Sequence, residues 1–366
     1  MVVQVSRLHF RGAGETPAPQ SRRPLQSPSF LVSLFGLAFE GAAFLARVRF
    51  IKLPTMPDTT SPLHFADRLV AAVRAKRNPV VVGLDPRWGQ LPQPLTTGIA
   101  LGDRKAMARA YFRFCAGVID VVAPLVPAVK PQAAFFEQLG PEGMAALADV
   151  VGHARKKGLL VILDGKRNDI GSTAAAYAEG FLGEPSAWQA DALTVSPYLG
   201  ADSVQPFVDI AVQRHGGVFV LVKTSNPGGG QFQDLVCDGR PLYRHVAQFV
   251  EQLAGGTVGE HRYGAVGAVV GATYPEQLNE LRSAMPSAWL LVPGYGSQGA
   301  TARDVAGGFD EEGLGAVVNN SRGIIFAYSL RGYDERFGAA RWQEAVAAAT
   351  GQMIDELRSE TNAGRL

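Results

Sequence analysis

The sequence predicts one (β/α)8 barrel carrying an N-terminal extension, and three features of the 366-residue chain carry that expectation. Short apolar, β-branched runs recur from residue 79 onward, segments with helical spacing separate them, and polar residues collect where the runs end. The runs are 79–84 (PVVVGL), 126–130 (VPAVK), 159–163 (LLVIL), 191–195 (DALTV), 217–222 (GVFVLV), 265–270 (AVGAVV), 288–292 (AWLLV) and 314–318 (LGAVV). Their nearly continuous hydrophobicity marks strands buried on both faces, as in a parallel sheet. Helical spacing appears at 142–157, 172–182, 240–255, 275–284 and 299–307, with a last helix near 340–359. Eight such repeats favour a closed barrel over an open sheet. A doubly wound sheet is the alternative, but no G-x-G-x-x-G follows the first run, which ends Gly83-Leu84-Asp85-Pro86.

The polar residues sit where a barrel uses them. Asp85, Lys130, Asp164, Ser196, Pro293-Gly294 and Asn319 each fall at or just after the C-terminal end of a run. Barrel active sites are built on that rim, because the strands hold residues rigidly while the loops vary.

Residues 1–28 are rich in Pro, Arg, Ser and Gln, and Phe30–Ala46 is apolar apart from Glu40. A central carboxylate is costly in a membrane span, and no clear A-x-A cleavage site follows the run. Met56, followed by PDTTSPLHFADRL, reads as a protein start, with Ser61 or a neighbour capping a helix at 63–76. Residues 1–55 are therefore expected to be disordered or untranslated, and 56–366 to form the barrel. The extension holds seven Lys/Arg against Glu15 and Glu40, which leaves a mildly acidic body in a chain of net charge +2. That body offers no footprint for nucleic acid, so any basic site is local and suited to a small anion. Two cysteines without C-x-x-C spacing exclude a disulfide framework and suit a reducing cytosol, so a cytoplasmic protein is expected. No H-x-x-x-H pair supports a helical zinc site.

The segment Asp164-Gly-Lys166-Arg-Asn-Asp169 places three charges on a strand end and the following loop. In an extended stretch residues i and i+2 share a side, so Asp164 and Lys166 point the same way. A lysine between carboxylates stays protonated, which makes it a poor Schiff-base nucleophile and a good proton donor. Packed carboxylates repel an anionic ground state. The set suits a reaction that expels a carboxylate and protonates the carbanion left behind. A solvated salt-bridge loop is the bland alternative.

LDGKRNDIGST is similar to the D-x-K-x-x-D-I-x-x-T signature of orotidine 5′-phosphate decarboxylases, and VVGLDP, AVKPQAAFFE, TVSPYLG, VKTSNPGG and VPGYGSQG resemble the bacterial type 2 subfamily. The resemblance spans about residues 61–346. It implies decarboxylation of orotidine 5′-phosphate to UMP, with Lys166 protonating C6 of the pyrimidine. Asp164 then sits against the departing carboxylate and forms a charged network with Lys130. Asp85 accepts from ribose hydroxyls, and Ser196 meets the pyrimidine amide edge. Asp169 and Thr173 reach into a neighbouring subunit's site, which implies a homodimer with shared active sites. No metal and no organic cofactor are implied.

The phosphate is expected at the last two strand ends. Pro293-Gly-Tyr-Gly-Ser-Gln298-Gly299 lets backbone N–H groups approach an anion, and the helix after Gly299 adds its positive end. Gln298 reaches the phosphate by its amide and Arg322 by its planar guanidinium. Lys223 reads as structural or loop-supporting, and Pro227-Gly-Gly-Gly-Gln-Phe as a lid. Two other functions fit a barrel of this kind. One is a metal-dependent sugar-phosphate decarboxylase or aldolase, the other a nucleotide-binding barrel without turnover.

Overall fold

The computed structural model describes residues 64–183 and 185–366. The expectations for residues 1–55, for Met56 as a start and for Ser61 as a cap lie outside them. Eight parallel strands close into one barrel in sequence order. They are β1 (Val80–Leu84), β2 (Ala128–Pro131), β3 (Leu160–Arg167), β4 (Ala192–Val195), β5 (Gly217–Lys223), β6 (Val266–Val270), β7 (Leu290–Pro293) and β8 (Ala316–Asn320). Closure comes from β1 pairing with both β8 (Val80 opposite Val318) and β2 (Gly83 opposite Lys130).

Each predicted run is a strand, and all ends but one agree within two residues. The exception is β3, which runs on from the expected 163 to Arg167 and takes the charged motif into the sheet.

The helices are α1 (Phe65–Lys76), α2 (Arg104–Val122), α3 (Pro141–Lys156), α4 (Gly171–Phe181), α5 (Ala201–Gln213), α6 (Leu242–Gly255), α7 (Pro275–Ala284) and α8 (Trp342–Glu360). One expectation is corrected here. The helix read at 299–307 is a single turn, Ala302–Val305, followed by a 3-10 turn at Ala306–Gly308. Gly307 and Gly308 deprive it of the side chains and backbone restriction that would propagate a longer helix. No described helix is long and apolar enough to cross a membrane.

Alternation along the strands sorts side chains into two cores. Val80, Val82, Val129, Val161, Leu163, Leu193, Val218, Val220, Leu290 and Val318 pack outward beneath the helices. Val81, Ala128, Ile162, Ala192, Phe219, Leu291 and Val317 pack inward. The strands are buried on both faces for this reason, which is why they read as unbroken apolar runs.

The inner core is closed at its N-terminal end by α1. His64 caps that helix by accepting from the Ala66 N–H, and Phe65, Leu69, Val70 and Val73 turn into the barrel. Phe65 meets Phe219 edge to face at 6.1 Å. Each such side chain contributes about 2 kcal/mol by leaving water. With the bottom sealed, the only ends left to build on are the C-terminal ones.

Candidate active site

Following the inward positions up the strands leads directly to a cavity. Inward residues near the ends of β2 to β8, namely Lys130, Asp164, Thr194, Leu221, Val269, Leu291 and Asn319, all line it. Asp85, just past β1, lines it as well, and its volume is about 480 Å³. The apolar members form the floor on the β5–β7 side. The charged members stand together on β2–β4.

That charged side is built around one carboxylate. Asp164 is buried, and its Oδ2 accepts from Lys130 Nζ at 2.6 Å while its Oδ1 accepts from Lys166 Nζ at 2.5 Å. Thr194 adds a third donor, its Oγ1 lying 3.0 Å from Asp164 Oδ1. Burial opposes ionisation of Asp164, but the two ammonium groups outweigh it and hold the carboxyl well below the usual carboxylate range. Burial likewise works against the Lys130 ammonium, yet Asp164 and Asp85 keep its pKa above the ordinary lysine value. Asp164 and Lys130 therefore hold each other ionised across the neutral range.

Asp164 and Lys166 share a side as their i, i+2 spacing predicts, but not through a regular strand. The pairing of β3 with β4 slips between Leu163 and Arg167, and Lys166 takes a left-handed backbone with φ 44°. A lysine in that region costs on the order of 1–3 kcal/mol and needs support. Support comes from Thr194, whose Oγ1 accepts from the Lys166 N–H at 3.0 Å. One hydroxyl therefore fixes both the strained backbone and the carboxylate.

Gly83 on β1 is required by close approach. A Cβ there would fall 1.8 Å from Ser321 Oγ and 3.1 Å from Asn319 Oδ1. Its absence lets the segment after β8 lie against β1 at the cavity edge. Asp85 Oδ1 and Asn319 Oδ1 are both shielded from solvent and lack a donor among the described residues.

The opposite side is formed by the ends of β7 and β8. Pro293, Gly294, Gln298 and Arg322 line the cavity, and Gly294 has φ 109°, open to glycine at little cost. Two expectations about this loop change. The amides of Gly296, Ser297 and Gly299 donate to Ala300, Tyr295 and Gly296 carbonyls, so the loop's own turn consumes them. The one-turn helix beyond is closed by a capping box, in which Asp304 accepts from the Thr301 N–H at 2.7 Å. Its N-terminus already faces a carboxylate, so anion recognition falls to side chains and to the remaining amides.

Not every expected residue reaches the cavity. Ser196 follows β4 half-buried, its N–H donating to Arg167 O, and it does not line the cavity. Gly299 is exposed outside it. Asp169 and Thr173 also stay out: Asp169 Oδ1 accepts from the Ile170 N–H, and Thr173 is exposed on the first turn of α4. Thr194, Arg87, Gln132 and the Thr224–Asn226 segment line the cavity and were not singled out from the sequence. Thr194 was discoverable by counting two from the inward Ala192. The others follow strand ends and carry no periodic signal.

Comparison with known proteins accords with this geometry. Residues 78–332 match the family described as orotidine 5′-phosphate decarboxylase / HUMPS. An orotidine 5′-phosphate decarboxylase of Rhodopirellula baltica is 55% identical over 300 residues, covering 81% of this chain and 99% of its own. One from Deinococcus radiodurans is 44% identical, covering 76% and 93%. Among solved structures, the OMP decarboxylase of Leishmania donovani is 33% identical with a TM-score of 0.63, covering 81% of this chain and 98% of its own. The barrel, the cavity at its C-terminal rim and these likenesses agree: the chain belongs to the orotidine 5′-phosphate decarboxylase / HUMPS family.

Proposed function

We infer that this chain decarboxylates orotidine 5′-phosphate to UMP and CO2, the last step of de novo UMP synthesis. The observation that carries the reading is the Asp164 carboxylate held between Lys130 and Lys166 inside the cavity. In the proposed step the bond from C6 to the carboxylate breaks and its electron pair stays on C6. Lys166 Nζ then gives that carbon a proton and is reprotonated from water. Asp164, fixed and ionised, stands where it repels the substrate carboxylate and loses that repulsion as neutral CO2 departs. Lys130 keeps Asp164 ionised without itself needing to reach the ring.

The rest of the cavity divides around that centre. Asp85 and Asn319 offer acceptors to ribose hydroxyls. Thr224, Ser225 and Asn226 stand closer to the cavity than Ser196 and are better placed for the pyrimidine amide edge. Arg322 and Gln298 take the phosphate, with Pro293 shaping the start of their loop. The aldolase alternative needs a divalent cation, and the Asp164 carboxylate does not fit one, because two ammonium groups occupy its oxygens.

Asp169 and Thr173 are proposed to serve a second copy's site. Both lie outside their own cavity, and Ile170, which follows Asp169 directly, is 57% exposed. Large apolar side chains left in water next to polar ones suit an interface between copies.

The test is the absorbance change on mixing purified protein with orotidine 5′-phosphate, with and without EDTA. Turnover is expected in both, and Lys166→Ala should lower it at least about a hundredfold, the low end for removing a general acid. Lys166→Ala mixed with Asp169→Ala should recover about a quarter of the wild-type rate, since isologous hybrids keep one intact site in two. Turnover undiminished in Lys166→Ala would sink the assignment. No recovery on mixing, with hybrids formed, would sink the shared site.

A further inference from the structure

We propose that Lys223 and Asp234 form a latch that holds the segment after β5 as a wall of the substrate cavity, making both of them positioning residues for substrate binding. The proposal rests on the substrate reading above.

Lys223 ends β5 and is fully buried. In a regular strand it would share the inward side of Leu221, which lines the cavity. The pairing of β5 with β6 slips between Leu221 and Lys223, and the lysine leaves the interior. Its ammonium instead lies 4.9 Å from the ring centre of Tyr274 and 5.5 Å from that of Tyr243. Its single carboxylate partner among the described residues is Asp234.

A buried ammonium without a counter-charge is costly, so Lys223 and Asp234 are strongly bound to one another. Asp234, in contrast, is 45% exposed and belongs to the loop. The pair thus ties a surface segment to a residue that cannot move.

A second tie lies beside it. The Thr224 N–H donates to Gln233 Oε1 at 3.0 Å, and Gln233 Nε2 donates back to Thr224 Oγ1 at 2.8 Å. Residues 223 and 224 therefore hold 234 and 233, closing a loop at its neck. The stretch between them contains Gly228, Gly229 and Gly230 in succession, whose backbones have little preference of their own. The stretch forms its own 3-10 turn at Pro227–Gly229 and helical turn at Gly230–Gln233, and the neck fixes where these stand against the barrel.

What the neck positions is the cavity wall itself. Thr224, Ser225 and Asn226 line the cavity directly after Lys223. The Ser225 carbonyl accepts from Thr273 Oγ1, and a Cβ built on Gly294 would meet Ser225 Cβ at 3.4 Å. The wall therefore abuts the loop after β7, which carries residues assigned to phosphate, and it makes no hydrogen bond to Asp164 or Lys166 among the described residues. Loosening it should weaken substrate capture and leave the proton transfer alone.

Asp234→Asn tests this with little risk to folding, because the residue is half-exposed and the change isosteric. In that variant KM for orotidine 5′-phosphate should rise about tenfold with kcat within about twofold, the pattern of lost binding without lost chemistry. Backbone amides of residues 224–234 should exchange faster in the ligand-free protein while those of the barrel strands do not. Asp234→Glu should recover part of the KM, and Lys223→Met should reproduce Asp234→Asn. Unchanged KM and exchange in Asp234→Asn would overturn the latch, as would a fall in kcat accompanied by faster exchange throughout. The exchange measurement needs no substrate: faster exchange confined to 224–234, in a protein that never turns over, would keep the latch and reject the substrate reading.

Discussion

The two sides of the cavity recognise charge by opposite means. On β2–β4 the ionised groups come from the strands themselves and are paired with one another inside the chain, Lys130 and Lys166 on one Asp164. On β7–β8 the work is left to a glycine-containing loop and to Gln298 and Arg322, which follow the strands. The first side is fixed in advance, so its field acts on a reacting group without rearrangement. The second has side chains with room to close on an anion, which suits holding a phosphate whose position need only be approximately right. The difference teaches that reaction and anchorage make unequal demands on rigidity.

The sharpest way to break the comparison is Asp164→Asn. It should abolish measurable turnover and also destabilise the fold by about 3 kcal/mol, because it strands the buried Lys130 ammonium. The pH dependence carries a definite sign. The folded-state pKa of Asp164 is depressed, so its stabilisation is present above the ordinary carboxylate value of about 4 and fades as pH falls below it. The folded-state pKa of Lys130 is raised, so its share is present below about 10.5 and fades as pH climbs past that. Denaturant melts at a series of pH values should therefore show the gap between wild type and variant constant near neutrality and narrowing in acid. A gap that widened in acid would contradict the pairing.

A smaller effect is expected on the other side. Arg322→Ala should raise KM by about 10- to 100-fold, the range for losing a charge-assisted bidentate contact, with kcat at saturation little changed and the fold intact. Steady-state kinetics would check it. An equal loss in kcat would mean that the anchoring side also takes part in the chemistry.

The smallest expected effect refines the first side. Thr194→Val keeps the shape of a fully buried side chain but removes the hydroxyl that serves both Asp164 and the Lys166 backbone. A loss of about 1 kcal/mol in the transition state is expected, roughly five- to tenfold in kcat, with KM steady. If kcat did not move, the strained backbone at Lys166 would have to be held by something else.

How legible each side was in the sequence follows from the same contrast. The β2–β4 side is written on strands, where the period of two assigns a direction to every residue. Lys130 and Asp164 could be placed on the rim from the apolar runs alone, and Thr194 by the same count. The strand-end loops have no period. Thr224–Asn226 and Arg87 reach the cavity, while Ser196 does not, through turns that no spacing rule describes. Gly294–Gly299 looked like an anion cradle by composition, yet three of its amides close its own turn.

The sequence by itself determined the eight-stranded barrel, the rim that carries the site and the chemical kind of the site. Burial on both strand faces leaves an unbroken apolar run, and a charge at the end of such a run has nowhere to go but the rim. Only the tertiary structure decided the β-slips. One bends Lys166 back onto Asp164, and the other turns Lys223 out of the interior to Asp234. A slip shifts side-chain direction without changing composition, and it is set by what the neighbouring elements offer, Thr194 on the next strand in one case and two tyrosine faces from a helix and a loop in the other. Those partners lie 28, 20 and 51 residues away along the chain and are adjacent only because the β/α repeats pack side by side.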